Sequence, residues 1–127
     1  MGRLEGKVAL VIGAARGIGE GIAERFTQEG AKVVIADTEH DAGRETAARL
    51  KGLFVDTDIS RMDHAERAVK TALDGFGGLD ILVQNAGIYP WTLIEKTSPE
   101  EWDKVLAVNL KGTFLAARAA LPHMKEK

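Results

Sequence analysis

The stretch VIGAARGIGEG contains three glycines, Gly13, Gly17 and Gly19, spaced G-x3-G-x-G between an apolar run and a helical pattern. Glycine lets a backbone turn tightly and approach a pyrophosphate with no Cβ in the way. A helix that starts there points its free N–H groups at anionic oxygens. Asp37 closes the next apolar run, VVIAD. A carboxylate in that position accepts hydrogen bonds from both hydroxyls of an adenosine ribose and repels a 2′-phosphate. Arg16, inside the glycine loop, pulls the other way, because a base there could hold that phosphate. Asp37 outweighs it, since the acid would lie close to the phosphate. A plainer reading of the same residues is a tight turn for the glycines and a helix cap for Asp37.

Other chemistries are narrowed by composition. The chain has 127 residues and no cysteine, so disulfides, thiolate metal sites and a cysteine nucleophile are excluded. The single tyrosine, Tyr89, is followed four residues later by Leu93, and it reads as a loop residue over a cleft. Net charge is −2 with basic residues scattered, so no attraction to nucleic acid or to an anionic membrane is expected. No apolar run approaches the ~18 residues of a membrane span. The start, MGRLEGKVAL, lacks the apolar core of a signal peptide and enters a strand at once. A cytoplasmic protein with one domain over residues 1–127 is the expectation.

The elements that must carry these residues alternate. KVALVI (7–12), KVVIAD (32–37), LFVDTDI (53–59) and DILVQN (80–85) read as strands. The first helix carries Ile18, Ile22 and Phe26 on one stripe and stops at Gly30. Thr38 with Asp41 caps a second helix running to about Leu50. Ser60 with Asp63 caps a third, whose Ala65, Ala68, Val69 and Ala72 face inward. Ser98-Pro99-Glu100-Glu101 starts a fourth helix that could continue to the end of the chain. The order βαβαβαβα predicts an α/β fold, a Rossmann-like doubly wound parallel sheet in the order 3-2-1-4, with the fourth strand at an edge.

These residues, with three further segments, resemble the short-chain dehydrogenase/reductase family. Its T-G-x3-G-x-G loop is matched by IGAARGIG, with Ile12 in place of threonine. Asp58-Ile59 matches the pair that lies against adenine after strand three. Gln84-Asn85-Ala86-Gly87 matches the N-N-A-G motif closing strand four, with Gln84 for the first asparagine, and Val108-Asn109 matches the helix V-N pair. The resemblance implies cofactor contacts at Gly13, Arg16, Gly17, Ile18, Gly19, Asp37, Asp58, Ile59, Asn85, Ala86 and Gly87, with NAD preferred over NADP. It also implies a catalytic Ser, Tyr and Lys in addition to Asn109. No Tyr-x-x-x-Lys occurs here, so Asn109 is a remnant of that set, or simply a polar residue at a helix irregularity.

The resemblance therefore points to the cofactor-binding half of an NAD-dependent oxidoreductase acting on a secondary alcohol or ketone, cut after its fourth βα unit. Weak NAD binding and no turnover are expected of this chain alone. The alternative is a non-catalytic, self-associating half-Rossmann module. A dimer is expected on either reading. The edge of DILVQN and a helix stripe of Val105, Val108, Leu115 and Ala119 are expected to lie exposed.

Overall fold

All five residues of the first strand, β1 (Val8–Ile12), are buried, because helices cover both sides of it. In this computed structural model, which describes residues 2–126, β1 pairs in parallel with β2 (Lys32–Asp37) on one side and β4 (Ile81–Gln84) on the other. β2 in turn pairs with β3 (Leu53–Asp56), giving the four-stranded order β3-β2-β1-β4. The doubly wound topology is the one the sequence predicts. Leu10 sits in register with Val34 and with Leu82, so the centre of the sheet is a continuous row of branched side chains.

The helices sort onto two faces. α1 (Gly17–Gln28) and α2 (His40–Arg49) set Ala23, Ala47 and Leu50 against Ala9, Val11, Val33 and Ile35. α3 (Met62–Phe76) and α5 (Gly112–Met124) set Ala65, Ala68, Val69, Leu115, Ala116 and Ala120 against Val8, Leu10, Ile12 and Val34. Small alanines let these helices lie close to the sheet. Among the described residues no helix is long and apolar enough to cross a membrane.

After β4 the chain makes a 3-10 turn (Ile94–Lys96) and enters α4 (Pro99–Leu106) through the predicted start. The Ser98 hydroxyl accepts the Glu101 N–H at 3.0 Å, and Pro99 needs no partner at the first position. The helix does run on toward the end, but through a π turn over Ala107–Lys111 that separates α4 from α5.

Several local expectations are corrected. β3 ends at Asp56 rather than at 59: the Thr57 N–H makes the last ladder bond, to the Asp37 carbonyl, and the chain then closes a turn from Ser60 back to Asp58. Ser60 does not cap α3. Its hydroxyl and N–H both donate to Asp58 Oδ1, closing a turn before the helix starts. Nor do Thr38 and Asp41 box the start of α2, where Asp37 Oδ1 takes the Glu39 N–H instead. Ile18 is 76% exposed, because the first turn of α1 projects beyond the sheet; Ile22 and Phe26 do pack against the core. On the last helix, Leu115 and Ala119 are buried against this chain's own core, and Val108 packs beside them. The apolar residues left in solvent are a different row: Trp102, Leu106, Leu110, Phe114 and Leu121. The outer edge of β4 is open, as expected.

Candidate functional site

A cleft of about 470 Å³ opens at the carboxyl ends of β1, β2 and β3 and beside the exit of β4. Its lining unites Gly13, Arg16, Asp37, Asp58, Ile59, Asn85, Ala86 and Gly87 from separate segments, with Lys104 and Val108 across from them. Eight of the sequence-predicted residues thus meet around one space. Gly17 and Ile18 are exposed in the first turn of α1, while Gly19 is buried within it. Asn109 lines a neighbouring pocket.

The three glycines have different jobs. A Cβ on Gly13 would come within 2.6 Å of the Ala86 nitrogen, and one on Gly19 within 2.0 Å of the Gly13 carbonyl oxygen. Those two let β1, the start of α1 and the exit of β4 pack together. Gly17 has φ of +68°, and a Cβ there would meet nothing within 4 Å. It is the corner at which bare backbone faces open space. No side chain caps α1, so its leading N–H groups are left for a partner from outside the helix.

Asparagine and glutamine brace this corner from β4. Asn85 Nδ2 donates to the Gly13 carbonyl at 3.2 Å, and the Asn85 N–H donates to the Ile12 carbonyl at 2.9 Å. Gln84 Oε1 accepts the Ala86 N–H at 2.8 Å and its Nε2 donates back to the Ala86 carbonyl at 3.2 Å. The longer amide of Gln84 is thus accommodated by folding back on its own strand exit.

At the β2 end, Asp37 is held on both oxygens. Oδ2 accepts the Ala15 N–H and Oδ1 the Glu39 N–H, each at 3.0 Å. A carboxylate has about four lone-pair sites, so each oxygen keeps one for a ligand hydroxyl. Arg16 pairs with Glu39 at 2.7 Å, and both side chains are largely exposed. The guanidinium therefore meets an acid at this end of the cleft before it meets any ligand. Glu39 was not legible as a site residue, since nothing distinguishes it from other exposed glutamates in the sequence.

The third corner is the turn after β3. The Ser60 hydroxyl holds the Asp58 carboxyl below its usual range; partial burial is the main opposing effect, and the Ser60 N–H, His64 and Arg61 add smaller help. Among the described residues, Asp58 Oδ2 and the Ile59 N–H have no hydrogen-bond partner. An open acceptor and an open donor thus fall on two adjacent residues that line the cleft. The Asp58 N–H points the other way and donates to His64 Nδ1 at 2.9 Å. No motif or spacing in the chain marks His64.

Asn109 uses its whole amide on one residue. Oδ1 accepts the Ile88 N–H and Nδ2 donates to the Ile88 carbonyl, both at 2.8 Å. It sits within the π turn, at a helix irregularity. Tyr89 is exposed and lies over the adjoining pocket of about 320 Å³, together with Ile88, Pro90, Trp102 and Val105, rather than over the glycine cleft. Among the described residues no group of histidines and acids could hold a metal ion.

Chemically, the cleft offers backbone N–H groups for an anion, a braced carboxylate for a diol, and a donor–acceptor pair for a heterocycle edge. A family model for short chain dehydrogenases matches residues 7–127. An uncharacterized oxidoreductase of Thermotoga maritima is 44% identical over 128 residues, covering 97% of this chain and 50% of the relative. The 3-alpha-(or 20-beta)-hydroxysteroid dehydrogenase of Mycobacterium tuberculosis is 45% identical over 127 residues, covering 98% of this chain and 49% of the relative. The crystal structure of a 3-ketoacyl-(acyl-carrier-protein) reductase from Brucella melitensis complexed with NADH superimposes with a TM-score of 0.93 at 45% identity. That match covers 97% of this chain and 52% of the reductase. The chain spans about half the length of the curated relatives it matches.

Proposed function

The chain belongs to the short-chain dehydrogenase family, and from that premise we propose that it forms the dinucleotide-binding half of an NAD-dependent oxidoreductase. One observation carries the reading: a single cleft joins the open glycine corner, the braced Asp37 and the Asp58–Ile59 pair. It lies where the winding of the sheet reverses between β1 and β4, the usual place for a ligand in open α/β sheets.

The three corners match the three parts of an adenosine diphosphate. Gly17 and the uncapped start of α1 suit the pyrophosphate. The spare lone pairs of Asp37 suit the two ribose hydroxyls. The Ile59 N–H and Asp58 Oδ2 suit a ring nitrogen and the amino group on the edge of adenine. A 2′-phosphate on the ribose would meet the carboxylate of Asp37, and Arg16 is already engaged by Glu39. The reading is therefore NAD over NADP. The NADH in the Brucella reductase supports the nicotinamide class of cofactor.

When bound, such a cofactor supplies hydride transfer. The names of the relatives, a hydroxysteroid dehydrogenase and a ketoacyl reductase, support a secondary alcohol or ketone as the partner of that hydride in the whole enzyme. This chain's own contribution is to bind and orient. Asn109 holds the Ile88 backbone, and so the floor between the cleft and the Tyr89 pocket. With no Tyr-x-x-x-Lys among its residues, the 127-residue chain has no positioned proton donor, and we expect no turnover from it alone. A cytoplasmic location goes with this reading.

Calorimetric titration with NADH and NADPH tests the assignment. Binding of NADH with a clear margin over NADPH is expected. Tighter binding of the phosphorylated cofactor overturns the preference, and binding of neither overturns the cofactor reading for this chain.

A second reading, compatible with the first, rests on the exposed row Trp102, Leu106, Leu110, Phe114 and Leu121 beside the open edge of β4. This surface is too apolar to stay solvated at little cost, and self-association through it into a dimer is the simplest way to cover it. Sedimentation equilibrium at micromolar concentration tests it; a single species at 13.7 kDa refutes it.

A further inference from the structure

We propose that His64, at the start of α3, is the positioning residue that holds the Asp58–Ile59 turn open for adenine, and that its neutral form is required for that role. The inference rests on the cofactor reading above and adds to it a residue that never touches the ligand.

The geometry is direct. The Asp58 N–H donates to His64 Nδ1 at 2.9 Å. The Arg67 guanidinium approaches the same ring nitrogen at 3.4 Å, and arginine can only donate. Two donors face Nδ1, so that atom carries the lone pair and the ring proton sits on Nε2. Asp58 thus spends its N–H on His64 and its Oδ1 on Ser60, which fixes the turn from two sides. What remains unpaired, Asp58 Oδ2 and the Ile59 N–H, belongs to the cleft wall. Without the His64 acceptor the Asp58 N–H loses its partner, and the Thr57–Asp58 peptide, which sets where Asp58 and the following Ile59 N–H sit, loses that anchor.

A proton on Nδ1 turns an acceptor into a donor, facing both the Asp58 N–H and the Arg67 cation. The charged groups around the ring are Arg67 on its own helix, the Asp58 and Asp63 carboxylates, and Arg61 before the helix. Arg67 is itself drawn toward β3, donating to the Asp56 carbonyl and lying 3.6 Å from the Asp56 carboxylate. That carboxylate also meets His40 at 2.9 Å. Arg67 is therefore held beside His64.

Two variants separate acceptor from bulk. His64→Leu removes the acceptor. His64→Asn keeps one, since the asparagine Oδ1 occupies the branch that Nδ1 occupies on the ring. NADH affinity of the full chain is measured by calorimetry at about pH 8 and about pH 5.5. At the higher pH, His64→Leu is expected to bind about three- to tenfold more weakly than wild type, the scale of one lost hydrogen bond, and His64→Asn within about twofold of it. On acidification the wild type is expected to lose affinity while His64→Asn stays level.

Equal binding by His64→Leu and wild type overturns the proposal. So does a His64→Asn protein as weak as His64→Leu, or an acid loss that persists in His64→Asn. Amide hydrogen exchange at Asp58, read without cofactor, keeps the latch testable if wild type fails to bind NADH, an outcome that would sink the cofactor reading alone. Protection of the Asp58 N–H in wild type and His64→Asn, and its loss in His64→Leu, is the expected pattern. Equal exchange in all three removes the latch itself.

Discussion

The two sides of β1 are finished to different degrees. Toward β2 and β3, α1 and α2 cover one face of the sheet and α3 the other, and the strand ends close into braced turns in which Asp37 and Asp58 hold backbone N–H groups. Toward β4, the sheet stops at an open edge, and α4 and α5 carry a row of large apolar side chains in solvent. The first region braces its turns internally and leaves open only the polar groups that face the cleft. The second meets its polar needs, through Ser98 and the Asn109–Ile88 pair, but leaves apolar area uncovered. A binding cleft needs rigidity before its ligand arrives, whereas an association surface needs only to be available.

The contrast is sharpest on α5, where adjacent residues fall on opposite sides of it. Leu115 is 5% exposed in the core and Phe114 is 59% exposed. Leu115→Ala is expected to cost about 2–5 kcal/mol in urea unfolding, the usual range for a buried leucine. Phe114→Ala should change the stability of the monomer little and instead reduce self-association. Equal destabilisation by both would mean that α5 does not separate an inner from an outer face.

The next largest effect tests the finished side. Asp37→Ala is expected to weaken NADH binding by about ten- to a hundredfold, as charge-assisted hydrogen bonds to the ribose are lost, and to narrow the margin over NADPH. It also releases the Ala15 and Glu39 N–H groups, so Asp37→Asn, which keeps acceptor oxygen, should fall between. An unchanged cofactor preference in Asp37→Ala would shift the discrimination elsewhere in the cleft.

On the unfinished side, Leu110→Glu puts a charge in the exposed row. At least a tenfold weaker dimer by sedimentation is expected, because a carboxylate is costly to bury without a partner. A dimer indifferent to this change would have to form through the β4 edge alone.

The smallest expected effect concerns acid. The Asp58 carboxyl is held below its usual range in the fold, chiefly by the Ser60 hydroxyl. Its stabilising contribution is therefore complete above the ordinary aspartate value and is lost as pH falls through the lower folded one. Ser60→Ala removes the main cause, so it should lower stability near neutral pH and flatten its loss on acidification below about pH 4. Circular dichroism during acid titration of the two proteins reads the difference, and parallel curves would mean that Asp58 contributes nothing to it.

Much of this was legible in the sequence because it depends on local pattern. Buried strands announce themselves as branched runs, and the Ser98-Pro99 start combines a side-chain acceptor with a fixed φ. Asp37 was legible because a strand end in this topology can point to only one place. The errors arose where two local solutions competed. Ser60 could cap α3 or bind Asp58, and Asp58, nearer and charged, took it. Ile18 fitted a helical stripe, but a stripe does not reveal that the first turn overhangs the sheet. His64 and Glu39 act through partners brought to them by the fold, and no spacing in the chain marks them.

The π turn at Ala107–Lys111 also sets a rule for length. It houses one residue more than a regular helix over the same rise, and each residue of an α-helix turns about 100°. Deleting any one of those five residues would let the segment relax into a single straight helix. Because the turn already absorbs the extra residue, everything downstream would keep its phase, with Leu115 and Ala119 still facing the core. Asn109, which reaches Ile88 from inside the turn, would lose that line. A one-residue deletion in the regular helix on either side has no such reserve and turns every later face by about 100°, so chain length should vary more freely within Ala107–Lys111 than beside it.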